Sequence, residues 1–270
     1  MGHAVPGAVG ADFPGGRHSS GRGDRRRVAG AKTRRGGRWV AVRAFLIGFV
    51  FTTPQSYAET GYLAGHEVDF RTFLGPPPAP DSQWDRADQG LVEALQAVDD
   101  RRWQMADQDG KELYSRFAGA FGRPIDKKTA PVLVKLLDRA VADADATADV
   151  AKDFFSRPRP FQRLQLQRVC DKATPPKPEE HPTRGTSYPS GHSTRGWTVA
   201  MVLARVAPDR AEVVLKRAEE YMESRLICGM HFPSDVEAGH DVAIAVVSHL
   251  DASPQFQADL ERARKEHMSP

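Results

Sequence analysis

The chain has 270 residues, 40% of them hydrophobic and 27% charged, which is enough to bury a core and unlike a disordered chain. Its net charge of +3 is unevenly divided: residues 1–58 hold ten Lys and Arg against two Asp, and the remainder holds 28 basic against 33 acidic residues. The acidic remainder lacks the clustered cations of a nucleic-acid binder, so no nucleic-acid partner is expected.

Residues 1–37 are rich in Gly, Ala and Arg without an apolar period, and no fold is expected there. The stretch "RRGGRWVAVRAFLIGFVFTTPQSYAET" then supplies a basic segment (Arg34, Arg35, Arg38, Arg43), an apolar run from Ala44 to Phe51, and small residues at Ser56 and Ala58. This is the pattern of a signal peptide cut after Ala58, and the run is too short for a resident spanning helix. The reading predicts a removed segment over 1–58 and a mature domain over 59–270, periplasmic or secreted, with no membrane span. The competing reading is an N-terminal membrane anchor. Cys170 and Cys228 both lie in the mature part, and an oxidising compartment would allow them one disulfide; two buried thiols are the alternative.

After the stiff lead-in "GPPPAP" at 75–80 the pattern turns helical. Leu91, Ala94, Leu95 and Val98 share helical spacing, as do Val132, Leu133, Leu136, Leu137, Ala140 and Val141. Residues 195–206 are apolar almost all round, which predicts a central helix. Pro208 suits the first turn of the next helix, with Ala211, Val214, Leu215 and Ala218 on one face. Val236 to Leu250 and residues 254–267 complete the set. Strand alternation is almost absent, so the fold class is all-α, a single-domain helical bundle. Trp103, Phe117, Trp197 and Met201 are assigned to the core.

Three clusters carry chemistry. In "KDFFSRPRP" (152–160), Lys152 and Arg159 are two helical turns apart and would share a face of one helix that Pro158 and Pro160 end, making an anion site. In "SYPSGHS" (187–193), Pro189 sets a turn. Ser190 and Gly191 lie at the entry to the apolar helix, expected to begin near Ser193, where unpaired amides and the helix dipole suit phosphate. In "SRLICGMHFPSD" (224–235), Arg225 adds a cation. Asp235, in the first turn of the last large helix, would accept a hydrogen bond from one ring nitrogen of His231 and leave the other free to attack. A surface pair, or half a metal site with His240, would use the same residues, but no Cys/His run has zinc spacing, so no metal or cofactor is expected. His192 and His231 with three cations and one orienting carboxylate form the parts of metal-free phosphoryl transfer.

The clusters match K-x6-R-P, P-S-G-H and S-R-x5-H-x3-D, and on these residues the chain is identified as a member of the type 2 phosphatidic acid phosphatase (PAP2) and haloperoxidase superfamily. "SYPSGHS", "SRLICGMHFPSDVEAG" and "LGPPPAPDS" are similar to the exported class A bacterial non-specific acid phosphatases, with Thr186 and Ser193 departing from that class's G-S-Y-P-S-G-H-T. The resemblance implies a hydrolase of phosphomonoesters, active without metal. His231 would attack phosphorus and form a phosphohistidine, Asp235 would orient it, and His192 would protonate the leaving alcohol and then activate water. Lys152, Arg159 and Arg225, with the amides of Ser190 and Gly191, would hold the phosphate. The partner implied is a small-molecule phosphomonoester, with phosphate or vanadate as inhibitors. Members of that class often dimerise, and some transfer phosphate to nucleosides.

Overall fold

The computed structural model describes residues 61–63, 68–170 and 186–269. The segment expected to be removed lies outside the described residues. By its contacts the chain divides into Met1–Thr53 and Pro54–Pro270, and every described residue belongs to the second unit.

The described residues are all-α. In chain order the helices are α1 (Gln83–Ala94), α2 (Asp100–Asp109), α3 (Ser115–Phe121), α4 (Pro131–Phe155), α5 (Pro160–Arg163), α6 (Gly191–Val206), α7 (Ala211–Ile227), α8 (Pro233–Asp251) and α9 (Pro254–Met268), with short 3-10 turns before α1, after α1 and before α7. Local signals set the boundaries. Ser82, Asp99, Ser190 and Ser253 cap α1, α2, α6 and α9 by accepting an amide of the first turn, and Pro opens α4, α5, α8 and α9, where no amide donor is needed. No described helix is long and apolar enough to cross a membrane.

The central place of α6 follows from its sequence. Val199, Ala200, Val202 and Leu203 are fully buried, and the helix packs on α4, α7, α8 and α9. Truncating a side chain such as Leu203 to Ala would cost ~2–5 kcal/mol through lost transfer energy and the cavity left behind. Phe117 and Trp197 are buried in this core and Met201 packs partly buried at its edge, while Trp103 packs on a separate small cluster of Ala106, Cys170, Ile227 and Cys228.

Cys170 and Cys228 are joined as a disulfide, 58 residues apart in sequence. The bridge, with the Cys170 amide donating to the Cys228 carbonyl (3.2 Å), ties the chain after α5 to the end of α7. Closing a loop of that length stabilises by about 4 kcal/mol in the chain-entropy model.

The 152–160 segment differs from expectation. α4 ends at Phe155 because Ser156 adopts a left-handed conformation (φ 49°), before either proline is reached. Pro158 pairs with Thr186 in an isolated bridge, and Pro160 begins α5 rather than ending α4. Lys152 and Arg159 therefore do not share a helix face; the site gathers them by a bend.

Candidate active site

The N-terminus of α6 is the centre of the site. The helix begins at Gly191, two residues earlier than expected, with Ser190 as its cap. The Lys152 ammonium reaches this point from α4: a Cβ added to Gly191 would lie 2.8 Å from Lys152 Nζ, so the glycine lets the cation sit close against the helix end. α8 approaches the same end through Gly239, where a Cβ would meet the Ser190 carbonyl oxygen at 2.4 Å.

The Ser190 amide does not point to an open site. It donates to the carbonyl of Asp235 (2.8 Å), locking the start of α6 to the start of α8. Ser193 and Thr194 donate to Ser190 itself, at Oγ and O. The amides of Gly191 and His192 are the two in this turn that have no acceptor among the described residues, so the helix-end donors are shifted one residue onward from the expected pair.

His231 sits on the short connection between α7 and α8 and is 1% exposed. Its Nδ1 lies 2.8 Å from the Ser187 carbonyl oxygen, which can only accept, so Nδ1 carries the proton and Nε2 carries the lone pair. Nε2 faces Arg159, whose Nη1 is 3.1 Å away and also donates to the Met230 carbonyl (2.9 Å). The expected direct hydrogen bond from His231 to Asp235 is absent: Asp235 Oδ2 is 3.8 Å from Nδ1, beyond hydrogen-bond reach though close enough to act as a charge. The Asp235 carboxylate instead accepts from Ser187 Oγ (2.5 Å), from the Phe232 amide (2.7 Å) and from Arg157 Nη1 (2.6 Å). The reason is local. Asp235 is the third residue of α8, where a carboxylate folds back to cap the amide preceding the helix.

Arg157 and Ser187, the two side chains that hold the Asp235 carboxylate, are not singled out by the sequence. Arg157 is 5% exposed and lies over the Phe232 ring. It also donates to Ser234 Oγ (2.8 Å), Asp88 (2.9 Å) and Asp85 (3.2 Å), and Arg163 adds two bonds to Asp85 at 2.7 Å each. Arg157 stands inside "KDFFSRPRP" and Ser187 opens "SYPSGHS", but nothing in their spacing announces a shared carboxylate.

The electrostatics of the site is that of several cations facing one another. Burial and then the neighbouring Arg225 pull the Arg159 guanidinium down to about 10. Burial also lowers the Lys152 ammonium, against the pull of Asp149. His192 is held well below its usual value by burial, then by Arg225, His231, Arg195 and Arg159. His231 is held well below by burial, then by Arg159, Arg225 and Lys152. Arg225, at the last turn of α7, is buried. The preceding Ser224 donates to the buried Asp109 of α2 (2.7 Å), which anchors that turn. His240, weighed above as a metal partner, instead stacks on Trp197 with ring centroids 3.9 Å apart.

Lys152, Arg159, Arg225, His192, His231 and Asp235 thus converge on one helix end, where cations and helix-end amides together suit an anion. Residues 136–256 match the model of the PAP2 superfamily. Among curated proteins, the chain is 34% identical to a non-specific acid phosphatase of Providencia stuartii, over 80% of this chain and 87% of that one. It is 35% identical to an acid phosphatase of Zymomonas mobilis (72% and 74% covered) and 32% identical to a non-specific acid phosphatase of Salmonella typhimurium (74% and 80%). The chain belongs to the PAP2 superfamily and, within it, to the non-specific acid phosphatases.

Proposed function

We propose that this acid phosphatase, a hydrolase of phosphomonoesters, is exported and metal-independent, acts on a broad range of such esters, nucleotides included, and works through a phosphohistidine at His231. The observation that carries the reading is the His231 ring: its proton is committed to the Ser187 carbonyl, so its Nε2 lone pair is directed at the cations.

That lone pair faces Arg159. A phosphate group bound by Lys152, Arg159 and Arg225 and by the Gly191 and His192 amides would draw the guanidinium onto its oxygens and uncover Nε2. Nε2 then attacks phosphorus as the ester P–O bond breaks, and protonated His192 gives its proton to the leaving oxygen. In the second half His192 takes a proton from water, the water oxygen bonds phosphorus, the P–N bond breaks, and phosphate leaves with His231 neutral again. The Asp235 charge, 3.8 Å from Nδ1, stabilises the positive charge that the ring gains in the intermediate.

Acidic pH suits this cycle. Burial and then the neighbouring cations hold His192 neutral, and a bound phosphate would offset the cations so that His192 can keep a proton. Export rests on the sequence pattern over 34–60, and transfer to nucleoside acceptors on the resemblance. The test is a panel of phosphomonoesters at pH 5–7 in EDTA, with product analysis when a nucleoside is added. Full turnover in chelator is expected; turnover that stops in EDTA and returns with a divalent cation would overturn the mechanism. The amino terminus of the exported protein, read by mass spectrometry, is expected at Glu59; a terminus far upstream would overturn the cleavage.

A further inference from the structure

Four hydrogen bonds behind His231 form a closed ring with one branch. Arg157 Nη1 donates to Asp235 Oδ1 (2.6 Å), Ser187 Oγ donates to Asp235 Oδ2 (2.5 Å), and the Ser187 amide donates to the Arg157 carbonyl (2.7 Å). The branch is His231 Nδ1–H donating to the Ser187 carbonyl (2.8 Å). We propose that Arg157 and Ser187 are positioning residues for the nucleophile: Arg157 fixes the Asp235 carboxylate, and Ser187 couples that carboxylate to the imidazole of His231. The inference rests on the reading of His231 as nucleophile.

The ring does two separate things. Ser187 fixes the tautomer through its carbonyl, which is aimed only because its amide and hydroxyl are both held. Arg157 fixes the charge state of Asp235. That carboxyl is fully buried, and burial alone raises it; the Arg157 charge and the bonds from Ser187 and Phe232 work against the rise. Asp85 and Asp88 of α1 hold the far side of Arg157, so docking of α1 reaches the nucleophile through one guanidinium. The charged and titratable groups that face Asp235 are Arg157, Arg159 and Arg163 from the chain after α4, His231 ahead of α8 and Tyr188 before α6, with Asp85 and Asp88 acting through Arg157.

Without Arg157, Asp235 takes up its proton at a higher pH, so the acid limb of the kcat profile moves to higher pH. A loss of structure alone would scale the profile without moving the limb. The experiment assays the full chain with a chromogenic phosphomonoester over pH 4–8, as wild type, Arg157→Lys, Arg157→Met and Ser187→Ala, with thermal melts and phosphoenzyme measured alongside. Arg157→Met is expected to lose ~10²-fold in kcat, as expected for a displaced reacting group, with KM changed a few-fold because the phosphate-binding cations remain. The acid limb should move upward, and Arg157→Lys should recover part of both effects. Ser187→Ala is expected to lose about 5- to 10-fold, in keeping with one hydrogen bond. Where Arg157→Met does not fold, Arg157→Lys and Ser187→Ala carry the test. A wild-type phosphoenzyme on His231 that forms as fast in these variants, with an unmoved acid limb, overturns the relay alone. A wild type with no phosphate on His231 overturns the reading beneath it.

Discussion

Arg157 and Arg159 are two residues apart and live in opposite settings. Arg157 is enclosed by Asp85, Asp88 and Asp235, and although burial works against its charge, Asp235 and Asp88 outweigh it and raise the guanidinium above its usual value. Arg159 turns the other way, toward Arg225 and His231, and is pulled down to about 10. The first region is a neutralised network that gives shape. The second is a concentration of positive charge that the fold pays for and a phosphate would relieve. The left-handed turn at Ser156, just before Arg157, and the bridge of Pro158 to Thr186 between the two arginines send one guanidinium behind the nucleophile and the other in front of it.

The largest expected effect lies on the border between the regions. His231→Ala should lower turnover of a chromogenic phosphomonoester by about 10⁴-fold or more, as for loss of a nucleophile acting in a unit, with the helical circular dichroism unchanged. Retained turnover would remove the border itself. Next is the network: Asp88→Asn leaves Arg157 and Ser234 short of a buried partner and should cost ~3–5 kcal/mol in chemical denaturation. The cations should behave in the opposite way. Lys152→Met should lower kcat/KM by ~10²–10³-fold, while stability stays level or rises because a buried charge has been removed. Equal losses of stability in Asp88→Asn and Lys152→Met would erase the contrast.

The smallest effect is a slope. His192 and His231 are held below 6.5 in the fold, so the unfolded chain binds protons that the folded site refuses, and stability falls as pH drops below that value. Each histidine contributes about 1.4 kcal/mol per pH unit until its own lowered value is reached. Inorganic phosphate offsets the cations and should flatten this slope between pH 7 and 5 in thermal melts. Carboxyls that are raised by burial, the buried Asp143 and Asp235 and the half-buried Asp145, act in the opposite sense at lower pH, so the comparison is made with and without phosphate. Parallel slopes would mean that phosphate does not bind among the cations.

Much of this was legible in the sequence, for physical reasons that also mark where legibility stopped. The helices after residue 130 repeat apolar residues at helical spacing, and α6 declares itself central by being apolar all round. The three motifs are contiguous, so Lys152, Arg159, His192, Arg225, His231 and Asp235 could be picked out by type and spacing. Contacts between distant segments could not be picked out. Asp85 and Asp88 reach Arg157 from about seventy residues away, and no spacing rule connects them. The Ser190 amide is consumed by Asp235 because α6 and α8 begin side by side, a packing fact. The shared face assumed for Lys152 and Arg159 fails at one backbone conformation, that of Ser156. The four-residue spacing of His231 and Asp235 suggested a direct bond, whereas the helix cap at Asp235 turns the carboxylate to Ser187 and Phe232.

The most direct measurement is the location of the phosphate in mid-reaction. His192→Ala, turned over with p-nitrophenyl phosphate, whose leaving group needs little protonation, should release the phenolate and then stall before hydrolysis. Quenching into alkali and mapping the peptides should place one phosphate on the peptide carrying His231, and none when His231 is also replaced. Phosphate found on His192 in the wild type, or no phosphoenzyme at all while turnover continues, would contradict the account.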